Sequence, residues 1–304
     1  MLIRNNKLLK QDKFKIEKDL QKFVEEHIKE ILGEEYEFVC TEFAVGDFRI
    51  DSLVFNKETK SFIIIEDKNV ENKSLVDQGL TYLKLLKERK ADFILKYNEV
   101  KNTNYNINDI DISQSKVLFF SPHYNKYQIY SADYQNVPFE LYKITKYEDD
   151  IVDIEKLEKT SKEKLDNALF KELSSDQKEE IKVYTEEDHL GKCTEEVKNM
   201  YYTLRDKILE LGDIDLDVKK VYIAFKGISN IVDLEIYKKF IQITINIKKG
   251  KLEDPLNIMN CYVGEDGKFM GHHGNGDYYL SIYHEEEIDK VIPFIKQSLE
   301  INKK

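Results

Sequence analysis

Asp51, Glu66 and Lys68 are the residues of this chain whose types and spacing can do chemistry. Glu66 and Lys68 close a run whose apolar part is Phe62–Ile65. Two apart on an extended strand, they project to the same side. Asp51 sits inside the apolar run Phe48–Phe55. Antiparallel pairing of these runs through the loop Asn56–Lys60 brings Asp51 beside Glu66. Two carboxylates and one ammonium then meet at one end of an otherwise greasy hairpin. Carboxylates so placed can hold Mg²⁺, which prefers oxygen ligands and keeps several waters. The ion lowers the pKa of water and stabilises charge on a phosphoryl oxygen, and a neighbouring lysine orients the water or offsets charge. The same three residues can equally form a surface salt bridge at strand ends; spacing alone leaves both readings open.

The elements that must position these groups can be read from the apolar periods. A helix is expected over 13–32, where Ile16, Leu20, Phe23, Val24, Ile28, Ile31 and Leu32 recur near 3.6 and Gly33 acts as a stop. Strands are expected at Phe38–Val45, Phe48–Phe55 and Ser61–Asp67, a helix over 74–90, and further strands at Ala91–Tyr97, Val117–Ser121 and Phe139–Tyr147. That order predicts an α/β mixed sheet flanked by helices over residues 1–150. The charged stretch 151–190 reads as a solvated helical connector with few apolar residues. A second, smaller α/β unit is expected over 191–304. It has helices near 192–211 and 285–299 and strands at Lys220–Phe225, Ile231–Ile236, Phe240–Ile247 and Tyr278–Tyr283. His272 and His273, in the Gly-rich run Gly271–Asp277, read more readily as a turn than as a ligand site.

Composition narrows the function classes. The 304 residues carry 47 basic and 58 acidic side chains, a net charge of −11. That excludes a protein that coats nucleic acid by bulk attraction, but not an enzyme that cuts it, which needs carboxylates and only local basic strips. Three scattered cysteines, Cys40, Cys193 and Cys261, exclude a disulfide framework and a cysteine-built zinc site. No apolar run approaches the roughly 20 residues of a spanning helix, and the first residues show no signal segment, so a cytoplasmic location without membrane contact is expected.

Gln78 and Tyr82 add a Q-x-x-x-Y pattern on the helix that follows the Glu66-Asp67-Lys68 tripeptide. With Asp51 and that tripeptide, the pattern resembles the PD-(D/E)XK nuclease superfamily, RecB-like members in particular. Ile50 stands where the superfamily usually has proline, and Asp67 where many members carry an apolar residue. Residues 218–300, especially YIAFKG, IVDLEIYKKF and HGNGD, resemble a C-terminal domain of unknown function, sometimes labelled "predicted transport protein", that bacterial proteins join to such a nuclease-like domain.

The resemblance implies a restriction-endonuclease-like fold and a Mg²⁺-dependent deoxyribonuclease, with Mn²⁺ able to substitute, in bacterial DNA processing or defence. It implies Asp51, Glu66 and the main-chain carbonyl of Asp67 as metal ligands, Lys68 as the group that handles water, and Gln78 and Tyr82 as positioning residues of the catalytic set. Glu17, Glu25 and Glu26 are the candidates for a further acidic residue from the first helix, and Arg49 either contacts phosphate or pairs with Asp51. The expected partners are nucleic acid, DNA before RNA, a second copy in a homodimer, and a protein or ligand at the C-terminal domain. The rival reading is a non-catalytic binding or scaffolding protein on a nuclease-derived fold.

Overall fold

A computed structural model describes residues 2–4, 6–69, 75–161, 163–165, 181–263 and 275–302. The chain forms two compact units, Met1–Val183 and Tyr184–Lys304. The first is mixed α/β. After the short strands β1 (Ile3–Arg4) and β2 (Lys7–Leu8) come α1 (Glu17–Glu26), α2 (Ile28–Leu32), β3 (Tyr36–Val45), β4 (Phe48–Asn56) and β5 (Ser61–Asp67). Then follow α3 (Leu75–Glu88), α4 (Lys90–Lys101), β6 (Lys116–Ser121), α5 (Lys126–Ala132), β7 (Phe139–Lys146) and β8 (Val152–Leu157).

The six long strands make one sheet in the order β3-β4-β5-β6-β7-β8. Pairing is antiparallel from β3 to β5, parallel through β5, β6 and β7, and antiparallel again at β8. A parallel step needs a crossover, and α3 and α4 supply it between β5 and β6. All seven residues of β5 are buried, as expected of a central strand covered on both faces. Phe62 and Ile64 pack with α3 and α4 on one side, beside Leu86, Phe93 and Tyr97. Ile63 and Ile65 pack with Leu20, Val24 and Ile28 of α1 and α2 on the other.

Three expectations need correction. Ala91–Tyr97 lies in α4, not a strand: Phe93, Ile94 and Tyr97 recur at helical spacing and all three are buried. The aromatic and branched residues there favour a strand intrinsically, but packing against the sheet decides the outcome. The helix expected over 13–32 breaks at His27, whose backbone (φ −121°, ψ 24°) separates α1 from α2. The charged stretch 151–190 is no mere connector. Its first part is the edge strand β8, and Leu157, Leu165 and Ile181 pack against the core of the first unit. Residues 166–180 of that stretch lie outside the described residues.

The second unit comprises α6 (Glu186–Leu190), α7 (Glu195–Leu209), β9 (Asp215–Val218), β10 (Ile223–Lys226), β11 (Asn230–Ile236), β12 (Ile241–Ile245), β13 (Asn260–Cys261), β14 (Tyr278–Ile282) and α8 (Ile288–Ile301). Its sheet, ordered β13-β14-β12-β11-β10-β9, is antiparallel throughout. Val197, Tyr201 and Leu204 of α7 and Val291 and Ile295 of α8 share one core with Phe225, Leu234 and Ile243 of the sheet. Strand β9 was not expected from sequence. His272 and His273 lie outside the described residues. Among the described residues no helix is long and apolar enough to cross a membrane.

Candidate active site

Strand pairing brings Asp51 and Glu66 together. Ser52 pairs with Ile65, so the next step of the same register sets Asp51 opposite Glu66. Asp51 Oδ2 accepts the main-chain N–H of Asp67 at 3.0 Å. The Lys68 ammonium stands 2.7 Å from Glu66 Oε1, 3.8 Å from Asp51 Oδ2 and 3.6 Å from Glu17 Oε1, and it donates to the Asp67 carbonyl at 3.1 Å. Parallel pairing with β6 fixes the lysine's own backbone, because Lys68 N–H donates to the Phe120 carbonyl.

Helix α3 holds Glu66 from one side. Gln78 Nε2 donates to Glu66 Oε1 at 3.1 Å, and the Tyr82 hydroxyl donates to Oε2 at 2.9 Å. Both reach it because Gly79 lets the helix lie close to the sheet: a Cβ there would come within 2.6 Å of the Phe139 ring. Helix α1 covers another side. Of the three glutamates weighed from sequence, Glu17 joins the cluster, its Oε2 also accepting Asn69 N–H at 3.2 Å. Glu25 accepts from Ser52 and Gln21, and Glu26 pairs with Lys22. Arg49 pairs with Glu42 at 3.1 Å rather than with Asp51.

Gln21 escaped sequence reading, and so did the backbone conformation of Glu42, a residue that the superfamily resemblance also includes. The buried amide of Gln21 donates to the Asp51 carbonyl at 2.8 Å and to Thr41 Oγ1 at 3.0 Å, tying β3, β4 and α1 at the level of the site. Glu42 holds a left-handed backbone (φ 49°). Thr41 pairs with Ser52 and Phe43 with Ile50, so this distortion lies opposite Asp51. A non-glycine residue in that region stores strain of about 1 kcal/mol or more. No side-chain pattern signals it; Gln21, sitting on the inner face of α1 among Leu20 and Val24, could have been found by its position in the helical stripe.

The electrostatics follow from burial. Burial first, and then the charge of Glu66, push the Asp51 carboxyl up to about 6, against the Asp67 N–H and Lys68. Burial works against the Lys68 charge, but Glu66, Asp51 and Glu17 outweigh it and its pKa stands above the ordinary lysine value. Burial and then Glu66 raise the Tyr82 phenol, which keeps its proton as a donor. The Asp67 side chain is fully buried, neither of its carboxylate oxygens has a hydrogen-bond partner among the described residues, and burial holds its pKa well above the usual range. Its carbonyl, by contrast, faces Lys68.

Among the described residues no three His, Cys, Asp or Glu side chains gather as a metal-holding group. The oxygens around Lys68 are instead the side-chain carboxylates of Glu66, Glu17 and Asp51 and the carbonyl of Asp67. That all-oxygen set fits Mg²⁺, which is commonly held by one or two carboxylates with water completing the shell. The Asp51 carboxyl is raised by burial first and by Glu66 second, and a dication beside it would favour its ionised form.

The second unit coincides with a described family, a domain of unknown function (DUF5655), whose model matches residues 186–302. An uncharacterized protein of Haemophilus influenzae is 39% identical over 298 residues, covering 96% of this chain and 95% of that protein. The chain belongs to the same family as that protein, and the likeness runs through both units. No solved structure matches the chain.

Proposed function

We propose that the protein is a Mg²⁺-dependent nuclease that hydrolyses phosphodiester bonds, in DNA before RNA, with its site at the ends of β4 and β5. One observation carries the reading: a single ammonium, Lys68, lies within 4 Å of the carboxylates of Asp51, Glu66 and Glu17 and of the Asp67 carbonyl. In this reading Asp51, Glu66 and the Asp67 carbonyl hold the ion, which supplies Lewis-acid activation and neutralises charge at the phosphoryl group. Lys68 would then orient the attacking water or offset the developing phosphate charge. Gln78 and Tyr82 fix both oxygens of Glu66, so that carboxylate meets the ion already oriented. Glu17 sits where an extra acidic ligand or base can act. The resemblance to the PD-(D/E)XK superfamily supports the same roles, and a bacterial role in DNA processing or defence goes with it.

The test is a cleavage panel on single- and double-stranded DNA and RNA with Mg²⁺, with Mn²⁺ and with chelator, run beside calorimetric metal titration. Wild type is expected to cut with either metal and not with chelator. Lys68→Ala is expected to lose roughly 10²–10³ in rate while binding metal as well as wild type or better, since a cation beside the dication has gone. Asp51→Ala is expected to lose affinity and activity together. A Lys68→Ala variant that cuts like wild type defeats the site assignment. A wild-type protein that cuts nothing leaves the binding-protein reading.

A further inference from the structure

We propose that helix α5 is a stacking platform for unpaired bases, so that the substrate reaches the site as a single strand or a frayed end. This inference rests on the nuclease reading and names the substrate class for it. Tyr127 and Tyr130 of α5 are 85% and 81% exposed, while Gln128 and Ala132 of the same helix are buried. The helix therefore turns its inward face to the sheet with small and polar residues and shows its rings to water. Three apart, the two rings lie on neighbouring turns of one face. With Ile129 between them, also exposed, they make one apolar patch, and it is such patches rather than single exposed residues that mark interaction sites.

Their place in the fold points to the partner. Strands β5 and β6 are parallel, with Asp67 level with Phe120, so the chain leaves β6 at Ser121 beside Lys68. The turn from β6 into α5 starts from that edge of the sheet. It is pinned by the Tyr124 hydroxyl, which lies 2.6 Å from the Phe119 carbonyl and 3.1 Å from the Tyr142 carbonyl. Helix α5 also packs against α3, the helix that carries Gln78 and Tyr82. The platform thus sits on a neighbour of the helix that orients Glu66.

Charge agrees. In a chain of net charge −11, no Asp or Glu occurs between Asp111 and Asp133, and of the basic residues there Lys116 is paired with Glu140 at 2.7 Å, which leaves His123 and Lys126 near the tyrosines. Lys126 and His123 are exposed beside the tyrosines. Exposed aromatic rings beside the Lys126 ammonium, in an acid-free stretch, match a polyanion whose π-faces are accessible. Bases within a duplex are already stacked on one another; only unpaired bases can lie on a tyrosine.

The experiment uses the full chain in chelator, which prevents cutting. Fluorescence anisotropy follows a labelled single-stranded DNA oligonucleotide and the blunt duplex of the same sequence. Wild type should prefer the single strand. Tyr127→Ala should weaken single-strand binding about 10-fold, and the double variant Tyr127→Ala/Tyr130→Ala about 100-fold, with little change for the duplex. Tyr127→Phe/Tyr130→Phe keeps the rings and should bind within about two-fold of wild type. The chain contains no tryptophan. Tyr127→Trp therefore introduces a lone indole, whose emission should be quenched by the single strand.

Equal binding by the double alanine variant overturns the platform and leaves the nuclease reading standing if wild type cuts. Binding through the tyrosines without cleavage under any metal overturns the nuclease reading and keeps the platform. No binding of any single strand by wild type overturns the platform. So does a dimer in sedimentation that the double alanine variant dissociates, which assigns the rings to a second copy of the chain.

Discussion

The Tyr82 hydroxyl donates to Glu66 Oε2 at 2.9 Å from one turn beyond Gln78 on the same helix. A phenol whose proton is held tightly by burial and by the neighbouring carboxylate is a fixed donor, so Glu66 is oriented before any ligand arrives. Tyr82→Phe keeps the ring and removes that bond. A hydrogen bond to a charged acceptor is worth about 1.5–3 kcal/mol, and the substitution should destabilise the first unit by that amount. Denaturant unfolding checks it, with the transition of the second unit identified from a separate fragment.

Gly79 should tolerate no side chain. An alanine there gains about 1 kcal/mol in helix propensity, yet its Cβ would meet Phe139 at 2.6 Å and Phe119 at 3.0 Å. Overpacking of this kind costs about 1–3 kcal/mol. Gly79→Ala is expected to lower stability and, by lifting α3 from the sheet, to weaken metal binding through displaced Gln78 and Tyr82. A variant of wild-type stability and metal affinity would show that the close approach of α3 is dispensable.

Asp51 makes the metal-free protein less stable as pH rises. Its carboxyl stands near 6 when folded, against 3.8 for an unperturbed side chain. Between those values the folded state binds more protons than the unfolded one, so unfolding free energy falls with increasing pH. Other groups titrate in the same window, and comparison with Asp51→Asn isolates this one. In chelator, wild type should lose about 1–3 kcal/mol relative to Asp51→Asn between roughly pH 4 and 7. Saturating Mg²⁺ should recover that loss for wild type only. A pH-independent difference between the two proteins would contradict the account.

Part of the site was legible because the strand period places Glu66 and Lys68 by number, and part, Gln78 and Tyr82, only through the superfamily resemblance. Glu66 and Lys68, two apart, do share a neighbourhood, and Gln78 and Tyr82, four apart, do reach one carboxylate. What escaped was carried by the backbone or by tertiary choice. The left-handed Glu42 has no side-chain signature, and selecting Glu17 over Glu25 depends on how α1 crosses the sheet. The strand expected at Ala91–Tyr97 failed because Phe93, Ile94 and Tyr97 suit either period in so short a run. Helix α5 has little apolar periodicity, yet its Asn125–Gln128 capping box was there to be read.

The boundary at Val183 has its own test. Leu190 of α6 is fully buried in the second core, and Glu186 accepts from Tyr201 at 2.5 Å and Arg205 at 3.1 Å. A fragment of residues 184–304 should melt cooperatively by far-UV dichroism. A fragment starting at residue 191, the boundary expected from sequence, should melt lower by several degrees, because it lacks Leu190 and the Glu186 carboxylate. Equal melting temperatures would remove α6 from the folding unit.

Strand β5 is bonded on both edges and buried on both faces, and it ends at the Glu66–Asp67–Lys68 tripeptide. Its amide hydrogens can reach solvent deuterium only when the whole unit opens. The residues proposed to meet the ion are thus hung on a central strand of the first unit, so their isotopic clock should run at the rate at which that unit unfolds globally. Heat or denaturant would then remove the site in one step with the fold.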